Sequence, residues 1–179
     1  MTAVISLYAG PGAGKSTSAA YLYAKLKAQG KRVEMVREYI KDWVWEGRTP
    51  STYDQFYILG KQIRRESSLL GKVDILITDS PVWLCGYYST EMAPPLIKHG
   101  VESCIQGYYQ QVKADGHKHV HVWVNRPTSF DPEGRWHSEE QSKTIDNELR
   151  PFLNQRGVEL TDVFAGFESL DEFVNDWKF

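Results

Sequence analysis

The sequence predicts a three-layer α/β domain, with about five parallel strands and helices on both faces. Three observations carry that expectation. Short apolar, β-rich runs alternate with longer helical stretches along the whole chain. The run VDILIT at 73–78 is almost continuously apolar, as in a strand buried on both faces. The first strand runs directly into a glycine-rich turn followed by a helix.

Residues 3–8 form the first strand, ended by glycine, and 15–29 the first helix, rich in Ala, Leu, Tyr and Lys and stopped at Gly30. Residues 32–37 are the second strand and 53–70 a helix stopped at Gly71. The third strand follows at 73–78 and a helix at 95–113. Strict alternation in HVHVWV predicts a fourth strand at 119–124. A helix at 138–155 has Ser138 as its N-cap, with Glu140 or Gln141 completing the cap. A short strand at 158–161 and a helix at 170–177 close the chain. In such sheets ligands sit beyond the carboxyl ends of the strands. That rule directs attention to 8–15, 38–45, 79–83 and 125–136.

The 179 residues, 41% hydrophobic and 25% charged, suit one soluble domain spanning 1–179. Two cysteines, Cys85 and Cys104, make no disulfide framework and point to a reducing, cytoplasmic setting. The apolar start lacks the basic flank of a signal peptide, and no run reaches membrane-spanning length. A net charge of −2 gives no global attraction to nucleic acid but leaves room for a local basic groove. Six Trp and ten Tyr supply rings for the core or for stacking on a flat ligand.

The strongest signal is Ala9-Gly10-Pro11-Gly12-Ala13-Gly14-Lys15-Ser16-Thr17 between a strand and a helix. It is a phosphate-binding P-loop with Ala in place of the usual first Gly. Its glycines let backbone amides wrap phosphates, and the following helix adds its positive end. Gly10, Pro11, Gly12, Ala13, Gly14, Lys15, Ser16 and Thr17 are therefore the expected nucleotide cradle. Lys15 is expected to reach the β- and γ-phosphates, and Ser16 to bind Mg²⁺. The expected cofactors are ATP and Mg²⁺, and the fold becomes a P-loop NTPase sandwich.

Among P-loop classes, a GTPase needs Asn-Lys-x-Asp after a strand, and this chain has Asn125-Arg126-Pro127. A motor-type ATPase needs Asp-Glu at a strand end, and this chain has Thr78-Asp79-Ser80. A kinase of hydroxyl-bearing small substrates needs a base, a metal-side carboxylate and a cationic lid, and each has a candidate. Asp79, at the end of the third strand, can hold Mg²⁺ or cap the next helix at Pro81. Glu38, at the end of the second strand, can take the acceptor proton or pair with Arg37 or Lys41. Arg135 lies in a Pro/Gly loop at 127–138 that can close as a lid over the phosphates, and Arg126 is a second cation of that segment. Tyr39, Trp43 and Arg64 are candidate acceptor-binding residues; Trp45, Gln55, Tyr57, Lys61, Gln62 and Arg65 are further pocket candidates. His117, His119 and His121 stand beside Lys118 without an acidic partner, so a metal cluster is not expected there.

LYAGPGAGKST, VREYIKDWVWEG, DILITDSP and NRPTSFDPEGRWHSEEQS followed by Ile145-Asp146 resemble phage-type P-loop kinases over most of the chain. The same blocks are similar to ribosylnicotinamide kinase domains and, more distantly, to deoxynucleoside kinases. In the latter a Glu followed by a Trp serves the acceptor hydroxyl, matching Glu38 and Trp43. Their Arg after the third strand is absent, since this chain reads Asp79-Ser80-Pro81. Thymidylate kinases carry an Arg at that place too. The resemblance implies phosphoryl transfer from ATP to a nucleoside-type acceptor, either 5-hydroxymethyluracil within phage DNA or a free nucleoside or nucleotide. It further implies the host cytoplasm if the chain is phage-encoded. A P-loop ATPase or switch coupled to a partner protein is the remaining alternative.

Overall fold

A computed structural model describes residues 1–127, 130–133, 135–164 and 166–176. Five parallel strands lie in the order β2-β3-β1-β4-β5. They are β1 (Ala3–Tyr8), β2 (Val33–Val36), β3 (Ile75–Thr78), β4 (Lys118–Asn125) and β5 (Leu160–Phe164). The helices are α1 (Lys15–Ala28), α2 (Lys41–Trp45), α3 (Asp54–Ser67), α4 (Val82–Met92), α5 (Pro95–Ala114), α6 (Glu139–Asn154) and α7 (Phe167–Asp176). Among the described residues no helix is long and apolar enough to cross a membrane.

Side-chain alternation along the strands builds two large cores, one on each face of the sheet, and a small third cluster of Val4, Val36 and Leu76. Ile5, Leu7, Ile75, Ile77 and Val122 point toward α1 and α7, meeting Leu22, Leu26, Leu170 and Val174. Tyr8 and Trp123 point the other way, into a cluster with residues of α3, α4, α5 and α6 such as Leu59, Trp83, Ile105 and Leu149. Removing the side chain of a fully buried residue such as Ile5 beyond Cβ is expected to cost about 2–5 kcal/mol.

The expected strands and helices are all present, with shifted ends. β2 and β3 are shorter than expected, and β5 lies two to three residues later, at Leu160–Phe164. Trp177, the expected end of the last helix, lies outside the described residues. Two helices were not expected. α2 is a single short turn-and-a-half in the segment after β2. α4 is buried along Val82–Tyr87 and again at Ser89. It is apolar on all sides, so it lacks the one-sided periodicity that identifies a surface helix. Its Gly86 lets it press against α5, since a Cβ there would lie 3.1 Å from Ile105 Cδ1. At the start of α6 the capping box closes with Gln141: Ser138 Oγ accepts the Gln141 amide (3.2 Å) and Gln141 Oε1 accepts the Ser138 amide (2.8 Å).

Register positions the chemistry. Ser6 of β1 aligns with Thr78 of β3, and Thr78 with Val36 of β2. The segments beginning at Ala9, Arg37 and Asp79 therefore leave the sheet along one edge, at the carboxyl ends of three adjacent strands.

Candidate functional site

The turn after β1 requires its glycines. Gly12 and Gly14 have φ of 78° and 91°, the left-handed region that other residues rarely adopt. Gly10 lies so close to α6 that a Cβ would sit 2.6 Å from the Ser142 carbonyl oxygen. A Cβ on Gly12 would meet the Phe130 ring at 2.6 Å. α1 then starts at Lys15 with no acidic residue and no side-chain cap in its first turn, so its amides and positive end face the turn. Lys15 Nζ donates to the carbonyls of Ala9 (2.8 Å) and Gly10 (3.0 Å). Burial lowers the Lys15 pKa, against the opposing pull of Glu38, Asp79 and Asp146. Pro11 and Ala13 complete the turn, while Ser16 and Thr17 are exposed at the helix start. An anion is the group this cradle fits: free amides, a helix end and one ammonium converge where no Cβ intrudes.

Beside it lie the two strand-end carboxylates. Asp79 Oδ1 accepts the Glu38 backbone amide at 3.0 Å, fastening the end of β3 to the end of β2. Asp79 is 6% exposed and keeps its second oxygen for other partners. Burial raises the Glu38 pKa; Lys15 opposes that shift most, Asp79 reinforces it, and Lys41 and Arg135 oppose it. Lys15, Ser16, Glu38, Tyr39, Asp79 and Arg135 all line one cavity of about 340 Å³. That volume lies in the range of small-molecule sites. The four candidate catalytic residues thus meet in one place, though they come from four separate segments.

Other candidates fall elsewhere. Trp43 is buried beneath the wall, its ring stacked on Tyr57 (6.4 Å, 18°) and covered by the Arg48 guanidinium at 3.4 Å. It does not line the cavity; Tyr39, Ile40, Lys41 and Val44 do so from that segment. Arg64 is exposed on α3 and also lies outside the cavity. Helical phase explains this, because Gln55, Ile58 and Gln62 share the inward face and residue 64 is turned about 200° from 62. Arg65 reaches the site instead: its Nη1 donates to the carbonyls of Arg37 (3.1 Å) and Glu38 (3.4 Å). Arg126 pairs with Asp146 (2.7 Å) and donates to the carbonyls of Pro11 (2.8 Å) and Ser142 (3.2 Å). It therefore braces the P-loop through a carbonyl oxygen.

Within the lid-like segment 127–138, residues 128, 129 and 134 lie outside the described residues. Arg135 Nε donates to the Asp131 carbonyl (2.6 Å), and its guanidinium lies 5.7 Å from the Phe130 ring centre. Trp136 and His137 line the same cavity, with His137 stacked on Tyr88 of α4 (6.1 Å, 30°). On the other side of the P-loop a second cavity of about 260 Å³ is lined by Gly14, Thr17, Ser18, Pro127, Gly166, Phe167 and Leu170. Phe167 stacks on Tyr21 at 4.3 Å and 19°, making a flat apolar wall there.

His119 and His121 lie behind the sheet, rings parallel at 5.6 Å and 5°. Burial lowers their pKa values to about 3 and about 4, so both are neutral. Among the described residues no group of three or more His, Cys, Asp or Glu is arranged to hold a metal ion.

Asp146, Arg37, Lys41, Tyr88, Trp136 and His137 are site residues that sequence patterns did not single out for these positions. For Tyr88 the missing signal was α4 itself; Asp146 was marked only as part of the resemblance, which says nothing of its contact with Gly10, 136 residues away.

No protein-family model and no curated protein matches the chain. Solved structures do. A NadR protein in complex with NR shares 16% identity at a TM-score of 0.67, covering 90% of this chain and 45% of that one. NadR in complex with NAD and AMP-PNP shares 14% at a TM-score of 0.69, covering 99% and 51%. This chain therefore spans about half the length of the chains it matches. At these identities the likeness is one of fold: a five-stranded parallel sheet with helices on both faces.

Proposed function

We propose that this chain is a P-loop kinase that transfers the γ-phosphoryl group of ATP to a hydroxyl of a nucleoside-type acceptor. One observation carries the reading: the Asp79–Glu38 fastening sets a carboxylate pair beside Lys15 and Arg135 in a single cavity. A phosphate site needs the lysine and the arginine. An ATP-binding turn alone has no need of a second, half-buried carboxylate on the neighbouring strand. NadR, of like fold, was captured with NR in one structure and with NAD and AMP-PNP in another, which supports nucleotide and acceptor sites on this scaffold.

In this mechanism the Gly12–Gly14 amides and the α1 start bind the triphosphate. Lys15 leaves the Ala9 and Gly10 carbonyls to neutralise the β- and γ-phosphates. Ser16 and Asp79 would hold Mg²⁺, which supplies further neutralisation of phosphate charge. Phe167, backed by Tyr21, offers a flat apolar wall for the base of the donor. Glu38 receives the acceptor proton as the hydroxyl oxygen bonds to the γ-phosphorus. The bond from that phosphorus to the bridging oxygen breaks, and ADP leaves with the electron pair. Arg135 stabilises the charge on the transferring group, and its segment excludes water.

Two forms of acceptor fit the site. The exposed rings of Trp45, Tyr53 and Phe56 on α2 and around the start of α3 favour 5-hydroxymethyluracil carried in DNA, whose base would have to be flipped out of a duplex. The enclosed carboxylate pair favours a free nucleoside or nucleotide. The test is transfer from γ-labelled ATP to free nucleosides, nucleoside monophosphates, ordinary DNA and DNA containing hydroxymethyluracil. Label in an acceptor supports the kinase reading and names its form. Label only in inorganic phosphate replaces it with an ATPase or switch.

A further inference from the structure

The charges lining the acceptor cavity do not cancel once the reaction has used its share. Lys15 and Arg135 serve the triphosphate, Asp79 the metal side, and Glu38 the hydroxyl proton. Two lining cations, Arg37 and Lys41, have no role in that chemistry. Arg37 lies just after β2 and Lys41 opens α2, on either side of Glu38. Lys41 acts electrostatically on Glu38, so its charge reaches the reacting end of the cavity. Arg37 is exposed at the mouth, and its guanidinium makes no hydrogen bond or ion pair with any described residue.

The backbone that carries Arg37 is held firmly. Arg65 donates to the carbonyls of Arg37 and Glu38, and its guanidinium lies 5.0 Å from the Tyr39 ring centre. The Tyr39 amide donates to Gln62 Oε1 at 3.3 Å, and the Glu38 amide to Asp79. Arg32 pairs with Asp74 and Arg150 with Asp162 elsewhere on the surface; Arg37 has no such carboxylate among the described residues and differs from other free surface cations in lining the cavity. Arg37 is an unpaired guanidinium on a fixed backbone at a cavity mouth, with a second cation four residues on. A planar donor fork of this kind suits a phosphate.

We infer that the acceptor carries a phosphate of its own, separate from the reacting hydroxyl, and that Arg37, with Lys41, binds it at the cavity mouth. The phosphate belongs either to a free nucleotide or to the backbone of a strand; the chemistry is shared. An uncharged nucleoside leaves the Arg37 guanidinium unused, and a cationic acceptor meets repulsion. The inference rests on the kinase reading of the same cavity and specifies which acceptors that kinase prefers.

The test compares matched acceptors: 5-hydroxymethyl-2′-deoxyuridine, its 5′-monophosphate, and a short single-stranded oligonucleotide containing it, each with γ-labelled ATP. Wild-type kcat/KM is expected to be roughly tenfold or more higher for a phosphate-bearing member than for the nucleoside. Which member gains tells a nucleotide from a strand. In Arg37→Gln that ratio should collapse through a raised acceptor KM, while Arg37→Lys keeps part of it. An unchanged circular dichroism spectrum and ATP KM confirm that the variants are folded. A nucleoside used as well as its phosphate-bearing partners, or a ratio unchanged in Arg37→Gln, overturns the inference and leaves the kinase reading standing. Label in no acceptor of this set or of the wider panel, with label released only as inorganic phosphate, overturns the kinase reading itself, and this inference with it.

Discussion

Asp146 accepts the Gly10 amide through Oδ1 at 2.5 Å, and its Oδ2 holds the Arg126 guanidinium at 2.7 Å. Arg126 in turn donates to the Pro11 carbonyl, so one carboxylate on α6 grips the P-loop at two adjacent residues. Because α6 follows directly on the lid-like segment, the phosphate turn and that segment share an anchor. Both partners are largely buried, and removing one leaves the other charge without compensation. Asp146→Ala is expected to cost about 3 kcal/mol in denaturant unfolding and to raise the ATP KM. Asp146→Asn, which keeps an oxygen for Gly10, should cost less. Equal losses in both variants would place the whole effect in the Arg126 ion pair and none in the Gly10 hydrogen bond.

Glu38 has a pKa raised chiefly by burial, so it holds its proton to higher pH than an ordinary glutamate. A base must be deprotonated to act. Turnover should therefore fall as pH drops, along a limb lying above the usual carboxylate range. Glu38→Gln should lower kcat by about 10²–10⁴ and abolish that limb, with little change in ATP binding. A variant that keeps wild-type turnover passes the acceptor-side role to Asp79.

Arg135 sits against Phe130 and the Asp131 carbonyl, within the cavity that holds Glu38. If its charge serves the transferring group, Arg135→Ala should lower kcat by roughly tenfold or more and raise the ATP KM less. Steady-state kinetics at saturating acceptor distinguish this from a binding role, in which KM alone would move.

Glu66 is fully buried behind the site, bonded to Tyr108 (3.1 Å) and Gln62 (3.3 Å), and burial raises its pKa to about 7. In the unfolded chain it ionises near 4.5, so between those values the unfolded state binds fewer protons. Its contribution to stability therefore falls as pH rises from about 4.5 to about 7, by on the order of 3 kcal/mol. His119 and His121, neutral in the fold, act in the opposite direction below about pH 6.5. The quantity to measure is thus the difference between wild type and Glu66→Gln, in which the histidines cancel. The variant should gain on wild type as pH rises from 5 to 8 in urea unfolding. Parallel curves would show that Glu66 does not change ionisation on folding in that range.

The sheet was legible in the sequence because β1, β3 and β4 carry the apolar patterns of buried strands, and the P-loop because its glycines and lysine are local. The position of Asp79 beside the P-loop strand followed from α/β topology, and the structure pairs β1 with β3. α4 was not legible, since a helix apolar on every side has no phase to detect. With it went Tyr88 and Cys85 in the cavity wall. The choice of Arg64 ignored a phase that Gln55, Ile58 and Gln62 already displayed. Asp146 and Gly10 meet only through the fold, and no spacing along the chain predicts such a contact.

The most direct measurement is the stoichiometry of products with an accepted substrate, read by phosphorus NMR for wild type and Lys15→Ala. The account predicts ADP and a new phosphate monoester on the acceptor in equal amounts, and neither product from the variant with its fold intact. ADP with inorganic phosphate and no phosphoester, or undiminished transfer by Lys15→Ala, would contradict it.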